Sequence, residues 1–215
     1  MQKQVYFVSG IDTGIGKSIA TGLYAKELAD AGRRVTTQKI VQTGCQGVAE
    51  DIQTHRRLQG IGLTEHDRNG STCPYVFAYP CSPHLAAEQE QRPISLEVID
   101  KATHSLLQSY DTVLLEGAGG LMVPLNREQT LLDFAAKRGY PLVLVTSGRL
   151  GSINHTLLSL AAARHAGLPV RRLVYNRYPA ADPVIGAETE RYLRDYLQRH
   201  FPEAEWAVLA EAIVD

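Results

Sequence analysis

Residues 5–18 read VYFVSGIDTGIGKS, and the rest of the chain is organised around them. Val5, Tyr6, Phe7 and Val8 form a short apolar run, β-branched and aromatic, that reads as a buried strand. Gly10, Gly14 and Gly16 follow at close spacing, Lys17 and Ser18 close the loop, and residues 19–31 read as a helix. Strand, glycine loop, Gly-Lys-Ser and helix, in that order, are the context of a phosphate-binding P-loop. Glycines let backbone N–H groups curl around phosphate oxygens, and the helix N-terminus adds partial positive charge. In such a loop the lysine, here Lys17, reaches the β and γ phosphates, and the hydroxyl of Ser18 serves Mg²⁺. The spacing from Gly10 to Gly16 is one residue longer than the general pattern. A tight turn that opens a helix and binds nothing is the plainer reading. The preceding strand and the Gly-Lys-Ser ending favour phosphate.

Further along, residues 35–41, VTTQKIV, read as a second strand. Lys39 lies near its C-terminal end, where doubly wound sheets bind ligands, although a solvated strand-end charge would look the same. Residues 43–47 read as a loop and 48–59 as a helix with Asp51 in its first turn. An acid there either complements the helix dipole or reaches toward a P-loop Mg²⁺. Residues 60–74 are polar and read as surface loop. Pro83 suits the first turn of a helix ending near Gln89, and His84 beside it is structural by default. Leu96, Ile99, Ala102, Leu106 and Leu107 recur at helical spacing.

Residues 111–115 read as a buried strand that ends in Glu116 and Gly117. An acid at the end of an apolar strand is the usual P-loop partner for Mg²⁺, and a buried carboxylate without cation or donors would be costly. Gly117, Gly119 and Gly120 let backbone approach a ligand closely. A helix over 131–138 and a strand over 141–146 follow. Gly151 then leads into a helix over 152–166. With Ser152 and Asn154 nearby, that helix start is either a second anion site or a plain N-cap by Ser152. A strand over 170–175 ends at Asn176, whose carboxamide can pair with a base edge or serve a turn. The last elements are a helix over 188–200 and a strand over 206–209. Such alternation predicts an α/β fold of the P-loop NTPase type. Its sheet is doubly wound and mostly parallel, with helices on both faces and the site at the strand C-terminal ends.

A chain of 215 residues suits one domain, residues 1–215, with a sizeable core. Its net charge of −1 implies no general attraction to nucleic acid or membrane. Cys45, Cys73 and Cys81 are odd in number and lack metal-ligand spacing, which points to reduced thiols in the cytoplasm. No leader is expected ahead of Val5, and no apolar run is long enough to span a bilayer.

Taken together, several motifs resemble those of the dethiobiotin synthetase family. Residues 10–18, GIDTGIGKS, resemble its unusually spaced P-loop, and residues 38–44, QKIVQTG, its lysine strand. Residues 74–93 resemble its Ser-Pro-His segment. LEGAGG at 115–120 and LGSINH at 150–155 are similar to two further motifs. The resemblance implies an ATP-dependent, Mg²⁺-requiring ligase that converts 7,8-diaminononanoate and CO₂ to a cyclic urea. The route runs through a carbamate and a carbamic–phosphoric anhydride. By the same resemblance Lys17 and Lys39 stabilise the phosphoryl group and carbamate, and Ser18, Asp51 and Glu116 surround Mg²⁺. Thr13 and Thr43 position the diamine or carbamate. Gly14, Ile15, Gly16, Gly117 and Gly119 contact the nucleotide, and Asn176 reads its base, often with help from a loop near Glu211. Gly151, Ser152 and Asn154 face the substrate carboxylate of the other subunit in a homodimer. Ile40 stands where a proline often follows the lysine, and Ser18 where threonine is usual. A P-loop switch of the partition or iron-protein kind is the competing reading. Such proteins usually carry an extra lysine early in the loop, where this chain has Asp12. A paralogue ligase acting on another diamine or on an amide substrate is a third.

Overall fold

A computed structural model describes residues 3–209. The P-loop stretch begins in strand β1 (Gln4–Gly10) and runs into helix α1 (Lys17–Asp30). There follow β2 (Val35–Lys39), the two-residue β3 (Gln42–Thr43), α2 (Glu50–Gln59), α3 (Glu65–Arg68) and β4 (Val76–Phe77). Next come α4 (Pro83–Gln89), α5 (Leu96–Ser109), β5 (Thr112–Gly120) and α6 (Leu131–Arg138). The chain continues through β6 (Leu142–Ser147), α7 (Ser152–His165), β7 (Val170–Asn176), α8 (Pro183–His200) and β8 (Glu205–Leu209). Six strands form one sheet in the order β2-β5-β1-β6-β7-β8, and every pair is parallel. The order reverses at β1, so the crevice expected at such a switch point opens where the P-loop begins.

Alternation along the strands puts helices on both faces. In β2, Thr37 contacts α2 through His55, while its neighbour Gln38 contacts α5 through Thr103. In β1, Tyr6 packs on Tyr24 of α1 and Phe7 on Phe134 of α6. Burial on both faces explains why the central strands read as unbroken apolar runs. Phe7, Val8, Val113, Leu114, Leu115, Leu142 and Leu144 are all fully buried. Helices α1 and α2 approach closely at Gly22, where a Cβ would stand 2.8 Å from Leu58 Cδ1.

Several elements differ from their sequence reading. The strand at 35–41 stops at Lys39, and Gln42–Thr43 pair instead with β4 in a separate ribbon. The strand ending at Glu116 runs on to Gly120. The last helix begins at Pro183, capped by the Asp182 carboxylate, five residues earlier than Glu188. Residues 60–74 are not simply surface loop. They hold α3, a single turn closed by a Thr64–Asp67 capping box, and Asp67 is buried. Ser152 does not cap α7, because Gly151 is the N-cap with φ +94° and Ser152 is already helical. The neighbourhood of Glu211 lies outside the described residues.

Candidate active site

Register sets the floor of the site. Lys39 of β2 pairs with Glu116 of β5, so their side chains leave the sheet side by side. Lys39 Nζ lies 2.8 Å from Glu116 Oε1, 2.6 Å from Asp51 Oδ2 and 3.0 Å from the Gly117 carbonyl oxygen. Three acceptors take the three protons of the ammonium. Burial alone would strip the proton from Lys39, but the carboxylates of Glu116 and Asp51 outweigh it and hold the amine well above its usual range. Burial would likewise raise Glu116, yet the Lys39 charge and the His55 hydrogen bond hold it far below the usual carboxylate range. The buried charges at this floor are paired and hydrogen-bonded, as burial requires.

Above this pair stands the P-loop, with Gly14 and Gly16 at φ +67° and +92°. Lys17 Nζ folds back onto the Asp12 carbonyl oxygen at 3.0 Å. Burial pushes its ammonium down to about 8 against the pull of Glu116. Asp12 pairs with Arg149, tying the loop to the start of the β6–α7 connection. Ser18 Oγ lies 2.7 Å from Asp51 Oδ1 and 3.1 Å from Glu116 Oε1. One hydroxyl proton can serve only one of these contacts, so hard oxygens crowd at a point. Such a set suits Mg²⁺, which takes one or two carboxylates and fills its shell with water and phosphate. Among the described residues no cluster of three His, Cys, Asp or Glu side chains could hold a metal by themselves.

These groups line a cavity of about 730 Å³. Thr13, Gly14, Ile15, Gly16, Lys17 and Ser18 form one wall, and Lys39, Thr43, Asp51, Glu116 and Gly119 the floor and far side. Of the other residues singled out in the sequence, Gly117 lies behind the floor, where a Cβ would meet Phe7 Cζ at 2.9 Å. Asn176 lies behind the P-loop, its Nδ2 donating to the Ile15 carbonyl oxygen and its Oδ1 accepting from the Tyr178 N–H. Gly151, Ser152 and Asn154 lie outside the cavity lining. The Ser152 side chain is buried against Ser147, and its N–H donates to the Arg149 carbonyl oxygen, while Asn154 is exposed. A separate cavity of about 510 Å³ beside His84, Ile94 and Leu125 has no P-loop residue in its wall.

A model of the AAA domain family matches residues 4–208. An ATP-dependent dethiobiotin synthetase of Pasteurella multocida is 56% identical over 206 residues, covering 96% of this chain and 97% of the relative. One of Haemophilus ducreyi is 55% identical over 206 residues, covering 96% and 98%. The chain belongs to the dethiobiotin synthetase family. Another relative of that name, from Chlorobaculum tepidum, is 55% identical over 205 residues and covers 95% of this chain and 86% of its own. Among solved structures, a plasmid partition protein of Borrelia burgdorferi superposes with a TM-score of 0.58 at 12% identity, covering 99% of this chain and 89% of its own. The cell division protein FtsY of Thermotoga maritima gives 0.55 at 16%, covering 98% and 63%. At such identities the likeness is one of fold.

Within this dethiobiotin synthetase site, sequence reasoning passed over Gln42, Pro80 and Cys81, which line the cavity, and His55, which lies beneath it. Gln42 reaches the site because β3 leaves the main sheet. His55 had one signal in the sequence: Ile52, His55 and Arg56 recur at helical spacing, so polar side chains share the buried face of α2.

Proposed function

We propose that the chain makes dethiobiotin, closing a cyclic urea from 7,8-diaminononanoate and CO₂ at the expense of ATP. The carrying observation is that full-length identity to ATP-dependent dethiobiotin synthetases coincides with a cavity floored by Lys39, Asp51 and Glu116 and walled by the P-loop. One amine of the substrate takes up CO₂ as a carbamate. A carbamate oxygen attacks the γ-phosphorus of ATP, ADP leaves, and a carbamic–phosphoric anhydride results. The second amine attacks its carbonyl carbon, loses a proton and expels phosphate.

Holding both amines, the carbamate and the γ-phosphate in line is a proximity task that needs no protein nucleophile. Lys17 answers charge on the β and γ phosphates, and Lys39 answers charge on the carbamate and the transferred phosphoryl group. Thr13 and Thr43, both in the cavity wall, position the diamine and carbamate. Backbone N–H groups of Gly14, Ile15 and Gly16 face the phosphates, Gly119 borders the nucleotide from the far side, and Gly117 acts from behind the floor through its carbonyl on Lys39. Asn176 reads the base with the second amide proton and second oxygen lone pair that its contacts to Ile15 and Tyr178 leave over. Ser18, Asp51 and Glu116 would hold Mg²⁺, directly or through water. Held there, Mg²⁺ would neutralise charge on the phosphate oxygens.

Because Gly151 and Asn154 lie outside this cavity, their role toward the substrate carboxylate belongs to a second copy in a homodimer. Leu150 just ahead of α7 and Leu158 midway along it, 86% and 61% exposed, are in keeping with a partner on this side of the molecule. Among the described residues no helix is long and apolar enough to cross a membrane. Free Cys45, Cys73 and Cys81 suit the cytoplasm.

Phosphate release is the test. It should require both diaminononanoate and bicarbonate and should yield one dethiobiotin per ATP. ATP turnover that ignores the diamine would overturn the ligase reading in favour of a switch.

A further inference from the structure

His55 has no exposed atom, and none of the steps above uses it. Its Nε2 lies 2.8 Å from Glu116 Oε2 and its Nδ1 2.9 Å from the Thr37 hydroxyl. Thr37 stands two residues before Lys39 on the same face of β2, two pairs below the Lys39–Glu116 couple. The other side of Thr37 meets Arg56, whose Nη1 donates to the Thr37 hydroxyl oxygen at 2.9 Å. Arg56 is fixed in turn by a two-pronged pair with Asp67, at 2.9 and 2.8 Å.

Donor accounting settles which way this row points. A guanidinium only donates, so the Thr37 oxygen accepts from Arg56 and its own proton must find an acceptor. The His55 Nδ1 is that acceptor. The ring then carries its proton on Nε2, aimed at Glu116 Oε2, and no donor in the buried row is orphaned. With Oε2 taken, Glu116 presents Oε1 to Ser18 and Lys39.

We infer that His55 is a positioning residue for the metal-binding carboxylate: the row Asp67–Arg56–Thr37–His55 fixes one imidazole tautomer, which clamps Glu116 with Oε1 facing the P-loop. This rests on the proposed Mg²⁺ role of Glu116. It extends that site by a buried layer that reaches it only through Glu116. Groups of this kind, one bond behind a ligand, set its orientation and basicity.

The test combines Mg²⁺ titration in the presence of a non-hydrolysable ATP analogue with ¹⁵N NMR of the histidine rings, assigned with His55→Gln. In the wild type the His55 proton should sit on Nε2; a proton on Nδ1 overturns the proposal without any variant. His55→Leu should weaken Mg²⁺ about 10–100-fold. His55→Gln, which keeps an N–H donor, should recover most of that loss. Thr37→Val should weaken Mg²⁺ and scramble the tautomer, while Thr37→Ser should do neither. A merely structural role would lower the denaturation midpoint of these variants and leave the Mg²⁺ affinity of the folded protein unchanged, and that result overturns the clamp alone. A wild type that takes up no Mg²⁺ would overturn the metal site and the clamp together.

Discussion

Lys17 and Lys39 bring the same charge to the same cavity, yet their surroundings predict different consequences of loss. Lys17 Nζ donates to the Asp12 carbonyl oxygen, and burial holds its ammonium down to about 8. Removing it frees a neutral carbonyl, so Lys17→Ala should keep its fold and its urea midpoint. It should lose more than nine-tenths of its turnover, a barrier rise of at least about 1.4 kcal/mol. Lys39 sits between two carboxylates. Lys39→Ala leaves Asp51 and Glu116 without their cation, and stripping one partner from a buried pair costs about 3–5 kcal/mol. That variant should lose stability as well as turnover. Urea denaturation followed beside the activity assay separates the two cases. Equal midpoints for both variants would show that the Lys39 contacts hold nothing together.

The P-loop is a rigid cradle only where its glycines let it turn, and they are not equivalent. At Gly16 a Cβ would stand 2.5 Å from Asn176 Nδ2, on a backbone already at φ +92°. At Gly14, φ +67°, a Cβ would meet nothing within 4 Å. Gly14→Ala should therefore carry left-handed strain alone, about 1–2 kcal/mol. Gly16→Ala adds a clash that drives Asn176 off the Ile15 carbonyl, and it should weaken ATP at least tenfold more than Gly14→Ala. Titration of ATP into both variants checks this, and equal losses would count against Asn176 supporting the loop. The same contrast explains what could be read ahead of the structure. The P-loop, the apolar strands and the acid at the end of β5 are contiguous signals, and they were legible. Lys39 was ambiguous alone and became a site residue once register set it beside Glu116. Helix α3 was hidden because it is one polar turn that buries only Asp67. His55 was hidden because its partners lie 18 and 61 residues away in the chain.

Across the whole molecule the net charge at pH 7 is −1, so self-repulsion is small near neutrality. Loss of stability as pH falls begins with the carboxylates that folding pairs off. Asp67 is the clearest case, being buried and bound by Arg56, by the Thr64 backbone N–H and by the Thr72 hydroxyl. Burial works to raise it, but the Arg56 pair and these donors win and push it down to about 2. An unfolded aspartate titrates near about 3.9, so between those values the unfolded chain binds more protons than the folded one. Stability therefore rises with pH through this window. The contribution is full above about 4 and is lost as pH falls through about 2. Asp67→Asn strips this dependence and leaves the Arg56 charge buried without its counter-ion, at a cost of about 3–5 kcal/mol near neutrality. The gap in unfolding free energy between wild type and Asp67→Asn should thus be widest at neutral pH and should narrow steadily as acid approaches the folded value. Denaturant titrations across the acid range measure it. A gap that stays constant would mean that Asp67 is not held low by Arg56, and the row that ends at Glu116 would lose its anchor.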